Sequence, residues 1–409
     1  MVRETTVAAD RYAISHALYE RAREIIPGGI YLDGGKPLLP RGKSPLYFDR
    51  AQGAYIWDAD GNRYIDFIMA YGPFVLGYAH PEVDAAAVAQ LAAGNLVSMN
   101  HTLHVRFIEE LLQRFPYAEM GAFFKAGSEA TTAALRIGRR ATGRRTVVRC
   151  GYHGWHDWCY PQAEFVPAGL DDQVVAFDPR ESGSLPQIFA AHRDQIAAVI
   201  VAPEMVHPPD ADVVREFARL AHENGALFIL DEVKTGLRTR GGSMQAYYGI
   251  KPDLTTLSKA LGNGWPIAAL VGTREAMRHG EGIPLSATYH GETAAMAAAI
   301  ETLRIVERDD APEYLDRIGR RFIAGLNEAA ARNGVPAQAY GEPIAAMPFL
   351  KFADGAADLK ERFYADVLAG GVLLHPNHLW YVSTAHTERD IDDALAIVDG
   401  AMGRLALTA

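Results

Sequence analysis

The sequence predicts an α/β protein: a large domain around a mostly parallel, seven-stranded sheet, followed by a smaller α+β domain at the C-terminus. Three observations predict it. Between about residues 120 and 275, short apolar runs alternate with helical patterns, as they do when strands are joined by crossover helices. After Thr293 the pattern changes to Ala-rich helix, and the short strands that follow lie among longer helices. The length of 409 residues also exceeds what one small core uses, so more than one compact region is expected.

The N-terminal segment, 1–71, contains a helical pattern over Tyr12–Ile25, a Gly/Pro-rich stretch, and a hairpin-like run from Leu46 to Phe67 whose turn residues are Asp58–Asn62. The large domain, 72–302, carries the candidate strands Ala122–Lys125, Thr146–Cys150, Gln173–Phe177, Ala197–Ala202, Ala226–Leu230, Leu254–Leu257 and Ala268–Gly272. Their β-branched content fits burial on both faces. Between two of them, Asp212–Asn224 places Val213, Val214, Phe217, Leu220 and Ala221 at helical spacing, and Gly225 is positioned to end that helix in a left-handed conformation. The C-terminal domain, 303–409, holds the short candidate strands Gly371–Leu374 and Trp380–Ser383.

Composition narrows the class. With 49% hydrophobic and 22% charged residues, and no apolar stretch long enough to span a bilayer, the chain reads as a soluble protein with no membrane partner. Met1–Asp10 carries both charges and lacks an apolar run before a small-residue cleavage site, so a cytoplasmic location is expected. A net charge of −10 argues against nucleic acid, whose binding is driven by clustered Lys and Arg. Cys150 and Cys159 read as buried thiols of a reducing compartment.

Ligands gather at the carboxyl ends of strands in such sheets, so polar residues directly after apolar runs come first. Phe228-Ile229-Leu230 runs into Asp231, Leu254-Thr255-Thr256-Leu257 runs through Ser258 into Lys259, and Phe123-Phe124-Lys125 passes through Ala126-Gly127-Ser128-Glu129 into a helix. Singly, each has an ordinary role: a helix cap, a solvated lysine, a helix start. Together they supply an amine for an aldehyde, a carboxylate for a pyridine nitrogen and a helix N-terminus for a phosphate, the parts that pyridoxal 5'-phosphate (PLP) needs.

These residues, with Ile26-Pro27-Gly28-Gly29, the turn Asp58-Ala59-Asp60-Gly61, Tyr71-Gly72-Pro73, Gly151-Tyr152-His153-Gly154, Asp231-Glu232-Val233 and Ser258-Lys259-Ala260, resemble the class III, PLP fold-type I aminotransferases over nearly the whole chain. Within them the likeness is to the glutamate-1-semialdehyde aminomutase branch. The resemblance implies that Lys259 forms the Schiff base and then moves the proton, and that Asp231 pairs with the ring nitrogen. It implies that Val233 and Tyr152 flank the two ring faces, that Gly127 and Ser128 hold the phosphate, and that Thr288 reaches the phosphate of the neighbouring subunit of a homodimer. Glu204, in Ala202-Pro203-Glu204, matches a family glutamate near the cofactor and equally suits a helix cap or a buried acceptor. Glu292-Thr293 stands where the family usually has Asn-Pro.

Two departures separate transfer of an amino group between molecules from migration within one. The aminomutases carry a long mobile loop after the Tyr-His-Gly motif, whereas here only Trp155–Asp172 separates Gly154 from the next predicted strand. The family's Glu-Ala-Gly-Phe segment is replaced by His375-Pro376-Asn377-His378-Leu379-Trp380-Tyr381. Both favour an aminotransferase acting between an amino acid or amine donor and a keto or aldehyde acceptor, with the 1,2-aminomutase reaction as the alternative. For the substrate, Lys36 or Arg41 lies near where the aminomutases place a carboxylate-binding arginine, and either also suits a solvated loop charge. Tyr71, Trp155, Trp158 and Trp380 could line an apolar pocket, though aromatic residues commonly serve as plain core.

Other classes fit less well. His153, His156 and Asp157, or His375 and His378, offer metal ligands without a third and fourth at recognisable spacing. A dinucleotide site lacks its third glycine, since Gly262-Asn263-Gly264 continues into Trp265-Pro266. A noncatalytic use of the fold is opposed by the presence of both Lys259 and Asp231.

Overall fold

The computed structural model describes residues 10–30, 37–40, 42–160, 163–167, 169–203 and 208–406. They divide into two compact units. One comprises Gly72–Leu76 and His80–Asp316, and the other Met1–Tyr71, Gly77–Ala79 and Arg317–Ala409.

The larger unit is built on seven strands: β1 (Met120–Phe124), β2 (Thr146–Cys150), β3 (Val174–Ala176), β4 (Ile196–Val201), β5 (Leu227–Glu232), β6 (Leu254–Leu257) and β7 (Ala268–Gly272). Their order across the sheet is β1-β7-β6-β5-β4-β2-β3. Only β7 runs against its neighbours, pairing antiparallel with both β1 and β6. The other six strands therefore end at one edge of the sheet. Every residue of β4, β6 and β7 is buried. That is why these strands read as continuous runs rather than as alternation, and each fully buried Val, Ile or Leu contributes about 1.5–3 kcal/mol.

The helix Gly127–Thr142 buries Ala130, Ala133, Ala134, Ile137 and Gly138, a stripe at helical spacing, against the sheet. Gly138 permits the close approach, because a Cβ there would come within 3.0 Å of the Ala198 side chain. The crossover helix Ala211–Glu223 buries Val214, Phe217, Leu220 and Ala221 and is followed by Gly225 at φ +65°, as its sequence predicts.

In the smaller unit the predicted hairpin is three antiparallel strands, Phe48–Gln52, Tyr55–Asp58 and Arg63–Asp66, joined by Val372–Leu373 running parallel to the last. The 1–71 segment and the C-terminal residues thus share one sheet, because the edge of Arg63–Asp66 needs hydrogen-bond partners. Gly371 O accepts from Ile65 N at 2.9 Å, and Leu373 O from Phe67 N at 3.1 Å. Trp380–Ser383 is extended but is not the strand its sequence suggests. Its N–H groups alternate between two neighbours, Trp380 and Val382 donating to Pro348 O and Ala346 O and Tyr381 to Phe67 O.

Candidate active site

The shared strand edge of the larger unit builds the site. Asp231 lies at the end of β5 in register with Thr256 of β6, and Lys259 follows β6 by two residues. The β2 end leads into Gly151-Tyr152-His153-Gly154, and the β1 end leads into the Gly127–Thr142 helix. These segments line one cleft, in which Gly127, Ser128, Tyr152, Asp231, Val233 and Lys259 meet.

Asp231 is 3% exposed. Its Oδ1 accepts from the Thr256 hydroxyl at 2.8 Å and from Val233 N at 3.1 Å, while its Oδ2 lies 2.7 Å from His153 Nδ1. Three contacts thus fix the orientation of this buried carboxylate. Its neighbour Glu232 behaves differently. Burial pushes the Glu232 carboxyl up to about 7, against hydrogen bonds from Ser243, Met244 N and Thr235 that tie it to the loop after β5. Glu232 therefore anchors the loop while Asp231 faces the cleft.

Lys259 opens a short 3-10 turn at φ +48°, a left-handed conformation costing a non-glycine residue roughly 1–2 kcal/mol. On the preceding residue, the Ser258 hydroxyl donates to Ile267 O at 2.9 Å and ties the turn to the start of β7. At the helix start, Glu129 turns back to accept from Lys125 N and Ala126 N at 2.8 and 2.9 Å, leaving the first-turn N–H groups for other acceptors. Gly127 and Gly154 make the backbone cradle. A Cβ at Gly127 would lie 2.7 Å from Val233 Cγ1, and one at Gly154, where φ is +116°, would overlap the Ser128 side chain. Ser128 Oγ accepts from Trp155 N at 3.2 Å, fixing the Tyr152–Gly154 loop over the helix end. Tyr152 is exposed beside the cleft, with Lys234 Nζ 5.1 Å from its ring centre.

The donor set fits PLP: an amine on a rigid turn, a buried carboxylate, a helix N-terminus bared by glycines, and an aromatic ring at the rim. An α/β sheet with this set at its strand ends defines a PLP-dependent enzyme. Comparison with known proteins makes the assignment narrower. Residues 39–387 match the family model for class-III aminotransferases, and the chain belongs to that family. It is 34% identical over 397 residues to the 3-aminobutyryl-CoA aminotransferase of Cloacimonas acidaminovorans, covering 93% of this chain and 94% of that one. It is 33% identical over 438 residues to the glutamate-1-semialdehyde 2,1-aminomutase of Chloroflexus aggregans, covering 98% and 100%. The FumI protein of Sphingopyxis sp. MTA144, solved in its PLP internal aldimine form, superposes with a TM-score of 0.90 at 35% identity, over 95% of this chain and 96% of that one. The protein is a PLP-dependent aminotransferase of fold type I.

Other predicted positions fall elsewhere. Thr288 is exposed on the segment before the Ala294–Arg308 helix and is not among the residues lining this chain's cleft. Glu204, Lys36 and Arg41 lie outside the described residues. Tyr71 belongs to the smaller unit, at φ +64°, and packs edge-on against His378 and His375 at 5.1 and 5.7 Å. Trp380 is core rather than pocket: it is fully buried, its indole N–H donates to His375 O at 2.7 Å, and it packs near Phe322 and Tyr364. Trp158 is also buried, stacked on His153, whereas Trp155 is 73% exposed. Trp380 and Trp158 thus serve as core of their own units.

The Glu292-Thr293 departure has a structural use. Glu292 caps the Ala294–Arg308 helix through Ala294 N at 2.8 Å and pairs with Lys125 at 2.6 Å, while Thr293 Oγ1 donates to Asn95 O. Among the described residues no group of three or more His, Cys, Asp or Glu could hold a metal. His153 is committed to Asp231, and His156 lies 2.7 Å from the Thr132 hydroxyl. Sequence reasoning missed His153, Thr256 and Lys234 as site residues. His153 follows Tyr152 at a strand end and is open to the same rule, but beside His156 and Asp157 it reads as a metal ligand.

Proposed function

We propose that Lys259 carries the cofactor and moves the proton, that Asp231 holds the ring nitrogen, and that the enzyme passes an amino group between two separate molecules. One observation carries the residue roles: the strand ends bring Lys259, Asp231 and the Gly127–Ser128 helix start to one cleft. When bound, PLP supplies an aldehyde that takes up the amino group and a ring that withdraws electrons from the donor's reacting carbon. Lys259 Nζ would hold the cofactor and would be the group that moves the proton at the donor's amine-bearing carbon. Asp231 keeps the ring nitrogen protonated, Val233 and Tyr152 confine the ring, and the N–H groups of Gly127 and Ser128 seat the phosphate.

Intermolecular transfer is supported by the short Trp155–Asp172 connection, which offers little cover to retain a reacting molecule. The likeness to an enzyme named for a 3-amino substrate supports a donor whose amine is not α to a carboxyl group. We further propose a homodimer in which Thr288 serves the partner's phosphate site, which its exposure permits, and a cytoplasmic location, which a composition of only two cysteines, both buried, suits.

The test is the visible spectrum of the purified holoenzyme, repeated after single additions of α-amino acids, β-amino acids, ω-amines and glutamate-1-semialdehyde. Bleaching of the violet band by one donor class, with release of an equivalent of keto product, is the expected result. Conversion of glutamate-1-semialdehyde to its positional isomer without released product would assign the aminomutase reaction instead. Light scattering reads the dimer, and cell fractionation reads the location.

A further inference from the structure

We propose that Lys125 and Glu292 form a latch that holds the Ala287–His290 turn in the position from which Thr288 meets the phosphate of the partner subunit's cofactor. The proposal rests on the reading of Thr288 given above. It makes Lys125 and Glu292 positioning residues that act across the subunit interface rather than on their own chain's cleft.

Ala287-Thr288-Tyr289-His290 is a tight turn closed at both ends. His290 N donates to Ala287 O at 3.0 Å, and His290 Nδ1 accepts from Ala287 N at 3.2 Å. Thr288 and Tyr289 therefore take the two central positions, and both are exposed. The base of the turn is fastened to the end of β1 and to the helix start that follows it. His290 is buried, its ring edge-on to Phe124 at 5.2 Å and its Nε2 3.4 Å from Glu129 Oε1. Gly291 O accepts from His104 Nε2 at 3.1 Å. Lys125 Nζ donates to Glu292 Oε2 at 2.6 Å and to Glu292 O at 3.2 Å, so this contact grips main chain as well as side chain. The two side chains are only 16% and 15% exposed, and solvent screens the pair little.

Helix capping alone does not account for the pair. The Ala294–Arg308 helix draws on Glu292 Oε1, which accepts from Ala294 N at 2.8 Å, and a shorter or uncharged acceptor serves a helix start as well. The contacts to Lys125 go further, because Lys125 lies two residues before Gly127. The stretch Phe124–Glu129 thus carries the proposed phosphate seat of its own chain and, through Phe124, Lys125 and Glu129, three contacts to the turn that bears Thr288. The turn is stiff where it joins its own chain and open at the residues that another molecule would meet.

The experiment follows the violet band of holoenzyme during dialysis, in dimers assembled from two differently tagged chains. One chain carries Lys259→Ala, so the band reports only the site built on Lys259 of the other. Glu292→Gln, whose single amide oxygen cannot serve both Ala294 N and Lys125, is placed on either chain in turn. On the Lys259→Ala chain it is expected to speed PLP loss from the reporting site about 10- to 100-fold, the effect of losing one hydrogen bond to a charged group. On the chain that bears Lys259 it is expected to leave the rate of loss as in wild type. Lys125→Met, which leaves the helix cap whole, is expected to give the same asymmetry and to add nothing to Glu292→Gln in the double variant. If Glu292→Gln does not fold, Lys125→Met carries the test.

Faster loss with the substitution on the Lys259-bearing chain, or equal rates in the two arrangements, would overturn the proposal. Thr288→Val in the same two arrangements serves as the reference. If it too fails to act from the Lys259→Ala chain, or if no dimer forms, the reading of Thr288 itself fails; if Thr288→Val acts across the interface and the latch variants do not, only the latch fails.

Discussion

Asp231 in the larger unit and Asp66 in the smaller one are both buried carboxylates at the ends of β-strands. Their partners differ in kind. Asp66 is closed over by its own turn, accepting from Ile68 N at 2.7 Å and Met69 N at 3.3 Å, and by the Tyr78 hydroxyl at 2.6 Å. Its donors are spent on holding the chain through the left-handed run Met69-Ala70-Tyr71. Asp231 instead lines a cleft, shares it with a lysine, and has an imidazole on one oxygen. A carboxylate ending a strand is thus not a site by itself. What it faces, and whether its donors serve the chain or the charge, decides between anchor and active group.

Substitutions at these positions should separate chemistry from stability. The largest effect is expected for Lys259→Ala, which removes both the amine for the cofactor and the proton carrier. Turnover should fall by about 1000-fold or more, and the violet band should be absent from folded protein. Asp231→Asn should lower kcat by about 100- to 1000-fold with the fold retained, read by steady-state rates and thermal melting together. Asp66→Asn should do the reverse, changing the melting temperature with little effect on kcat. If Asp66→Asn matched Asp231→Asn in lost turnover at unchanged stability, the contrast between the two carboxylates would collapse.

The larger unit was the more legible one because its physics is local and repetitive. Short continuous apolar runs bounded by turn residues, such as Ala197–Ala202, read as strands buried on both faces, and the rule that ligands collect at strand ends then selects Asp231 and Lys259. The smaller unit hides its logic in long-range pairing. Val372–Leu373 completes a sheet begun at Phe48, and Trp380 is core because its neighbours Phe322 and Tyr364 come from distant helices. No local pattern announces either. His153 was missed for a related reason: its partner is Asp231, a contact that only folding creates. An imidazole three residues before another, as His153 is before His156, resembles a metal site until its partner is known.

The next effect tests the cradle against the rest of the fold. Gly154→Ala adds a Cβ that would overlap the Ser128 hydroxyl and approach Ser128 Cβ within 2.9 Å, at a φ of +116° that alanine resists. Since Ser128 lies at the start of the Gly127–Thr142 helix, the clash falls on the proposed phosphate seat. We expect a loss of about 3 kcal/mol, shared between folding and cofactor retention, seen as a lower melting temperature and as PLP lost on dialysis. Unchanged retention would place the phosphate elsewhere.

The smallest expected effect concerns Asp66 and has a definite sign in pH. Burial raises its carboxyl from an ordinary value of 3.8 to about 6. The folded state therefore binds the proton more tightly than the unfolded chain. The stability this contributes is fully present below about pH 4 and is lost as pH rises through about 6. Asparagine cannot ionise but keeps an oxygen for Ile68 and Met69, so the wild type's advantage over Asp66→Asn should shrink by about 1–2 kcal/mol between pH 4 and pH 7. Buried His386, pushed down to about 4, titrates in the opposite sense: its contribution is present above about 6.5 and lost as pH falls through about 4. Its Nε2 lies 3.1 Å from the Asp66 backbone oxygen rather than from the carboxylate, so its contribution is common to both proteins and cancels in their difference. Denaturant melts of the two proteins at several pH values isolate the Asp66 contribution. A difference that grew with pH would mean that the carboxylate is stabilised as an anion, and would make Asp66 the electrostatic counterpart of Asp231 rather than its contrast.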